Sequence, residues 1–395
     1  MVTAIFLTVV VDLIGFGLIL PLLPFYAVSF GASPFAVALL AATFSIAQFL
    51  AAPLLGALSD RFGRKPVFLL CTVLTAAGYL TLAFAQTLTV IFLARMIAGI
   101  GAGKIGIAQA IIADATPPEK RARGMGLVGA AFGIGMILGP VLGGLLVGPD
   151  PQHPDYHLPA FAAAAASLCA LLLAIATIRE TLPPAAPGSA PPVLRLHHPL
   201  AALPQVSRGA LAIILVNAAI NFVFAQIETL FPLFTAARLD WHAYEVGIAF
   251  TFIGCIVLAM QGGLIGPLTR RFGEARLLAT GMIALAAGTV MVEWVYATPM
   301  MALSILLTAA GFGMINPSAA SLISRNADAG HVGLTMGVAQ AMSALGRVFG
   351  PVCGGWLFEH AGITSPYLVG GTILALTLIA GWRYTRTPQP EAPSP

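Results

Sequence analysis

Five ionisable side chains stand inside long apolar stretches of this sequence: Asp12, Arg95, Lys104, Glu228 and Arg347. A charge at membrane depth costs about 2.5–3.5 kcal/mol on insertion scales, so such groups face a cavity or a partner. A carboxylate kept partly from water can release and take up a proton as a cavity faces each side in turn, which makes Asp12 the leading candidate for a proton site. The alternative is a structural ion pair with a cation of the fourth apolar run. Arg95 is the natural partner there, its own alternative being a clamp between the first and fourth runs. Lys104 follows nine residues later, and at about 100° per residue the two cations fall on opposite faces of an ideal helix. Unless the intervening glycines distort that helix, one of them faces a neighbouring helix; Lys104 alternatively marks an anionic substrate.

Further along, Asn217, Asn221 and Glu228 fall within about 40° of one another on a helix, a polar stripe of the kind that lines water. Glu228 reads as a substrate contact, a second proton site or an interhelical hydrogen-bond group. Gln340, Ser343 and Arg347 form a comparable stripe. Gln48, Gln261 and Asn316 are weaker lining candidates, for which interhelical hydrogen bonding is the stronger reading. Asp114 and Glu293 sit at helix ends and read as solvated. Metal-ligand spacings, nucleophile elbows and phosphate loops are absent from the sequence, and His197 and His198 read as a solvated pair.

These residues need long helices to position them. The 395 residues are 58% hydrophobic and 9% charged, with a mean hydropathy of +0.94, which excludes a soluble globular domain. Apolar runs of about 20 residues, enough to cross a ~30 Å hydrocarbon core, predict twelve spans near 3–27, 35–58, 66–86, 88–113, 124–147, 158–178, 209–235, 244–268, 275–297, 299–323, 332–358 and 363–386. The first run lacks a basic n-region and a cleavage site and reads as a span rather than a signal peptide. The proline-rich segment 179–208 predicts an extended or disordered linker between a six-helix half at 1–178 and another at 209–386, with a disordered tail at 387–395. Cys71, Cys169, Cys255 and Cys353 all fall inside spans and read as packed, reduced thiols.

Of 19 Lys and Arg residues, 15 fall on the even-numbered loops and the C-terminal end, and only Arg238 on the opposite loops. This asymmetry places both termini and the linker in the cytosol. It also accounts for the net charge of +4 without a nucleic-acid partner.

An internal repeat relates the two halves. Gly126, Gly135, Gly139, Pro140, Gly143 and Gly144 recur as Gly337, Gly346, Gly350, Pro351, Gly354 and Gly355, each displaced by 211 residues, and Pro21 recurs as Pro232. Gly56, Arg61, Phe62 and Gly63 recur as Gly266, Arg271, Phe272 and Gly273 at 210. Parallel repeats of six spans predict a pseudo-twofold axis along the membrane normal, with a binding site between the halves near the midplane. The stretch 126–144 reads as a close-packed helix bent at Pro140, a hinge limiting leak between the halves.

The turn Gly56–Pro66, GALSDRFGRKP, resembles the conserved loop of the major facilitator superfamily, carried by Gly56, Asp60, Arg61, Gly63, Arg64 and Lys65. Asp60 can accept from helix N-terminal amides across the half-to-half interface and pair with Arg64, so the loop can latch one conformational state. Asp12, Gly15, Pro21 and Pro24 are similar to the first helix of the tetracycline and multidrug proton antiporters. Arg95, Gly99, Gly101 and Gly103 resemble that family's fourth-helix signature, and 126–144 its antiporter motif. The resemblance implies an all-α major facilitator fold of twelve helices. It also implies a proton-coupled antiporter exporting a small amphipathic compound, with a metabolite or organic-anion transporter of the same fold as the alternative. A membrane sensor or enzyme fits less well. The resemblance further implies no cofactor beyond the proton gradient, a monomer in the lipid bilayer, and a bacterial inner membrane. The third span has no charged residue beyond its ends and the ninth only Glu293, so metal–tetracycline recognition does not carry over.

Overall fold

The computed structural model describes residues 2–116, 121–148, 150, 153–182, 199–328 and 331–385. The first half contains α1 (Val2–Ile19), α2 (Leu23–Ser29), α3 (Pro34–Phe62), α4 (Arg64–Ala83), α5 (Leu88–Ala102), α6 (Lys104–Ala115), α7 (Arg121–Val147) and α8 (His157–Thr177). The second contains α9 (Arg208–Leu239), α10 (Ala243–Ala259), α11 (Ile265–Phe272), α12 (Glu274–Met291), α13 (Thr298–Arg325), α14 (Val332–His360) and α15 (Ser365–Thr385). Every predicted span corresponds to a helix or a broken helix. Ten, among the described residues, are long and apolar enough to cross a membrane, and α14 and α15 complete the twelve segments. The chain is an all-helical, multi-pass membrane protein.

Local chemistry sets the helix ends. Ser33, Thr87 and Ser207 cap α3, α5 and α9 by accepting from the amides of Ala36, Val90 and Ala210 at 3.3, 3.4 and 3.3 Å. Gly63 and Gly273 end α3 and α11 at φ +103° and +79°, a region that strongly favours glycine, which explains why the repeat keeps glycine there. The matched prolines behave differently. Pro21 lies in the turn that separates α1 from α2, whereas α9 runs unbroken through Pro232, α7 through Pro140 and α14 through Pro351.

Small residues draw the helices together, since lipid offers no hydrophobic drive between them. A Cβ added at Gly135 would lie 2.7 Å from a Leu13 backbone atom of α1, and one at Gly139 would lie 2.6 Å from Gly17. In the second half, one at Gly346 would lie 2.7 Å from the Ala218 carbonyl of α9. Most of the repeated motif therefore joins the fifth and first helices within a half. The other half is met by its last glycine and its proline: Gly144 lies against Tyr244 of α10 and the Pro140 carbonyl against Gly247, while Gly355 lies against Phe35 and Ala38 of α3. The stretch thus has two sides, one packed on α1 and the other, through the Met136 and Pro140 carbonyls and Gly144, on α10 of the other half. Gly126 lies in α7, but its surroundings are outside the described residues.

The halves are clamped at the end away from the linker. There Glu359 of α14 accepts from the Phe35 amide of α3 at 3.0 Å, and Gly247 of α10 packs on the Pro140 carbonyl of α7. Leu20, Phe25 and Met136 of the first half pack into the Phe231–Phe250–Tyr367 cluster of the second. Toward the linker end of the same helices, a Cβ added at Gly56, Gly129, Gly333 or Gly337 would meet nothing within 4 Å. The halves thus meet closely at the end away from the linker, the closed end, while these four glycines face open space toward the linker, the open end.

Two expectations need correction. Within the segment 179–208, Pro199–Gln205 forms a 3-10 helix, and Leu203 and Val206 pack on Ile213, Ile323 and Val338; buried apolar residues order this end. His197, His198 and the tail 387–395 lie outside the described residues. Of the cysteines, only Cys71 is packed; Cys169, Cys255 and Cys353 are free and exposed on the helix surface.

Candidate functional site

In the first half, Asp12 lies on α1 with 8% of its surface exposed, and Lys104 on α6 with 4%. Lys104 Nζ donates to Asp12 Oδ1 at 2.6 Å and to Thr75 Oγ1 at 3.0 Å, while Ser167 Oγ donates to Asp12 Oδ1 at 3.3 Å. Beside the pair, a space of about 10 Å³ lined by Thr8, Thr72 and Phe68 is near the minimum for one water molecule. Asp12 is therefore partnered by Lys104 and not by Arg95.

Arg95 and Lys104 differ in depth: nine residues separate them, about 13 Å of helix, and between them the fourth span is broken. At Gly103 the helix tightens, the Gly103 amide bonding the Ile100 carbonyl at 3.2 Å. Arg95 packs on Phe44 of α3 while Lys104 meets Asp12 of α1 and Thr75 of α4, so the two cations face different neighbours, as their spacing predicts. Gln48 Nε2 donates to the nearby Ala102 carbonyl at 3.4 Å. Glycine permits the close approach, since a Cβ at Gly103 would lie 2.7 Å from Leu55 and one at Gly101 2.7 Å from the Cys71 carbonyl. Arg95 is buried with its guanidinium carbon 4.2 Å from the Phe44 ring centroid, and its Nε has no partner. That contact is a cation–π interaction.

In the second half, the α9 stripe divides. Asn217 Nδ2 donates to Ser343 Oγ of α14 at 2.8 Å, and Asn221 Nδ2 to the Asn217 carbonyl at 2.9 Å. These two join α9 to α14 and bond along α9. Glu228 alone faces a cavity of about 60 Å³. Arg347 is its electrostatic neighbour but forms no ion pair with it within 4.0 Å. Gln340 and Gln261 are exposed, Gln261 in a π-helical turn at Met260–Leu264, and Asn316 is half-buried.

The Gly56–Pro66 loop is held within its own half. Arg64 pairs with Asp60 at 2.5 Å and Asp114 at 3.4 Å, and donates to Ser59 at 2.8 Å. Glu180, just after α8, accepts from the amides of Arg64 and Lys65 at 2.9 and 3.1 Å. Lys65 Nζ donates to the Ile175 carbonyl at 2.9 Å. Burial would raise the Glu180 pKa, but amides of Leu182, Arg64, Lys65 and Thr181 outweigh it and hold the carboxyl below its ordinary range. Arg61 is exposed and packs on Phe62. The expected Asp60–Arg64 pair is present, while Asp60 itself is exposed at the open end. Asp114 is a partner of Arg64 and of the Thr181 hydroxyl at 3.2 Å, a correction to its reading as a plain solvated end.

Sequence reasoning missed Thr75, Ser167 and Glu180. A hydroxyl inside an apolar run carries little signal, because most bond their own helix. Glu180 gave none, lying outside the loop motif it completes.

A duplicated bundle of twelve membrane segments, closed at one end around buried charges, defines a membrane transporter. The sequence profile of the Major Facilitator Superfamily matches residues 5–265 and 262–395, and the chain belongs to that family. It is 34% identical over 360 residues to the class C tetracycline resistance protein of Escherichia coli, covering 87% of this chain and 86% of that one. It is 29% identical over 380 residues to multidrug resistance protein 1 of Bacillus subtilis, covering 94% and 93%. Among solved structures, the human organic anion transporter MFSD10 (TETRAN) superposes with a TM-score of 0.74 at 26% identity, covering 96% of this chain and 98% of that one.

Proposed function

We propose that this protein is a proton-coupled antiporter that exports small amphipathic compounds, drugs among them, by alternating access. The observation that carries the proposal is the buried Asp12–Lys104 pair at 2.6 Å, which joins α1, itself packed along α7, to α6 of the fourth span. A buried pair of this kind is stable only while both charges are present. A proton arriving at Asp12 cancels its charge and releases Lys104, so protonation and helix packing are linked. Arg95, without a polar partner on Nε, is the group able to take over as Asp12's counter-ion once the helices move. The similarity to tetracycline and multidrug resistance proteins supports export. The organic anion transporter supports the second reading, a proton-linked anion carrier, for which Arg95 and Arg347 are the available cations.

The basic loops support a cytosolic linker, cytosolic termini and a cytosolic open end; on that reading, in a bacterial inner membrane, this state loads substrate from inside. In that frame Asp60 and Arg64 are the cytosolic latch awaiting the opposite state. The test is transport in proteoliposomes under an imposed pH gradient, with tetracycline, ethidium and an aryl sulfonate as trial substrates. Wild type moves at least one of them against its gradient, and Asp12→Asn does not. Equal gradient-driven transport by the variant removes Asp12 from the coupling role.

A further inference from the structure

The second and eighth spans hold equivalent places in the two halves, yet they differ by one residue. The second, Pro34–Phe62, has 29 residues between its caps Ser33 and Gly63, and the eighth, Ala243–Phe272, has 30 between His242 and Gly273. Ser33 and His242 are 209 positions apart, whereas Gly56 and Gly266 are 210 apart, so the extra residue enters between His242 and Gly266. The helix absorbs it there in the π turn Met260–Leu264, with the Ile265 amide bonding the Met260 carbonyl five residues back. α3 runs as an α-helix through the matching positions, Pro53 included. Sharp bends in helices gather at π turns and at small-residue pairs, and this turn contains Gly262 and Gly263.

The turn divides the eighth span into two arms with different surroundings. The outer arm, α10, is held on α7. A Cβ at Gly247 would lie 2.7 Å from the Pro140 carbonyl oxygen and one at Gly254 2.9 Å from that of Met136, while Thr251 Oγ1 donates to the Ile137 carbonyl at 3.3 Å. Val246 and Phe250 of this arm are buried in the core of the second half. The inner arm, α11, has no buried residue. The corresponding part of α3 is packed, Leu55 lying among Phe68, Ile107 and Ile111, and the buried Ser59 accepting from Arg64. Bending the inner arm therefore disrupts no core, and bending α3 would.

The contacts between α7 and α10 run antiparallel in steady steps: Gly144 with Tyr244, Pro140 with Gly247, Met136 with Gly254, and Gly133 with Leu258. About one turn further along each helix, four residues on, Gly129 stands opposite Gly262. A Cβ at Gly129 would meet nothing within 4 Å, and one at Gly262 only Leu258 of its own helix at 3.8 Å; Gly263 and Gly266 face open space as well. Glycines in register across an opening let two backbones approach closely, as they already do at the closed end. We propose that the π turn is a hinge: the inner arm of the eighth span bends about it onto α7 to shut the open end, bringing Gly262 against Gly129, while the second span moves as one body with its half. The hinge says which element carries out the alternating access proposed above and rests on that reading.

The test is disulfide trapping in nanodiscs. The full chain, with Cys71, Cys169, Cys255 and Cys353 replaced by Ala, carries Gly129→Cys and Gly262→Cys and is oxidised with copper phenanthroline; the bond forms only when the Cβ atoms come within about 4.5 Å. Spin labels on p-acetylphenylalanine at Arg271 and Ala327 report the inner arm against the end of α13, and labels at Arg61 and Thr116 report the counterpart in the first half. The inner arm has 8 residues, about 12 Å of helix, so a bend of about 20° moves its end by about 4 Å. The pair is expected to cross-link, and oxidation to shift the Arg271–Ala327 distance by about 4 Å or more while leaving Arg61–Thr116 unchanged. Deleting Gly263 gives the eighth span the length of the second and slows cross-linking by at least about tenfold. Gly263→Ala keeps the length, slows it several-fold, and decides the matter if the deletion variant does not elute as folded protein. No cross-link, a cross-link with the Arg271–Ala327 distance unchanged, or wild-type cross-linking rates in the folded Gly263 variants overturns the hinge. The readout needs no substrate, so the two readings fail separately: a local bend in a protein that transports nothing refutes the exporter and spares the hinge, and transport without the bend does the reverse.

Discussion

Replacing Asp12 by Asn leaves Lys104 buried with only the Thr75 hydroxyl to face. The side chains of the pair are 5% and 11% exposed, so solvent screens little of the interaction. Removing one partner of a buried ion pair costs about 3–5 kcal/mol; the lower figure applies here, because a stranded lysine can shed its proton. Lys104→Met has a similar cost in the opposite sense. The double variant Asp12→Asn/Lys104→Met buries no unpaired charge and loses only the hydrogen bonds to Thr75 and Ser167, about 1–2 kcal/mol. The two single costs are therefore strongly non-additive, with at least about 2 kcal/mol recovered in the double. At on the order of 2 °C per kcal/mol, each single variant lowers the midpoint of thermal unfolding in detergent by about 6 °C and the double by about 3 °C. A double variant as unstable as the two singles summed refutes the ion pair as a stabilising unit. Proton-driven transport then separates coupling from clamping: a stable double variant that no longer transports assigns coupling to the pair, and one that transports normally reduces it to a structural clamp.

Three further outcomes follow from the same geometry. Gly139→Val, whose side chain would start 2.6 Å from Gly17, abolishes folded protein on size-exclusion chromatography; Gly337→Ala, with nothing within 4 Å, keeps its unfolding midpoint or gains up to about 1 kcal/mol but slows transport, because that end must close in the opposite state. Glu359→Gln weakens the bond to the Phe35 amide and raises the population open at the far end, read as longer spin-label distances between α3 and α14; unchanged distances count against that contact as a gate. Glu180, with its folded pKa below the ordinary 4.5, stabilises the loop above that pH and loses its effect as pH falls through the folded value. Protease nicking of the Gly56–Pro66 loop accordingly rises in acid for wild type and is pH-independent over that range for Glu180→Gln.

The helices, the duplication and the inventory of buried charges were legible because membrane-length apolar runs and glycine spacing are local signals. The pairing of those charges was not. A count of 100° per residue set Lys104 against Arg95, and the two do face different neighbours, Phe44 for Arg95 and Asp12 for Lys104; what the count did not give was which of them meets Asp12. The stripe on α9 was read correctly as one face, but a face can be spent on neighbours: Asn217 bonds Ser343 while Glu228, about three turns on, opens into a cavity. The motif at 126–144 was visible in full, yet which glycine meets which half depends on packing across 100 or more residues of chain, as Gly144 with Tyr244 shows. The role of Glu180 needed the fold, since only there does the end of α8 meet the start of α4.

The central claim is exchange of protons for substrate, and one measurement addresses it directly. Purified protein is reconstituted in liposomes holding a pH-sensitive dye, with no imposed gradient, and a substrate found in the screen above is added outside. The account predicts proton efflux from the lumen that begins with substrate entry, stops when substrate is equilibrated, and disappears with Asp12→Asn. Substrate entry at the wild-type rate with no change in luminal pH contradicts it.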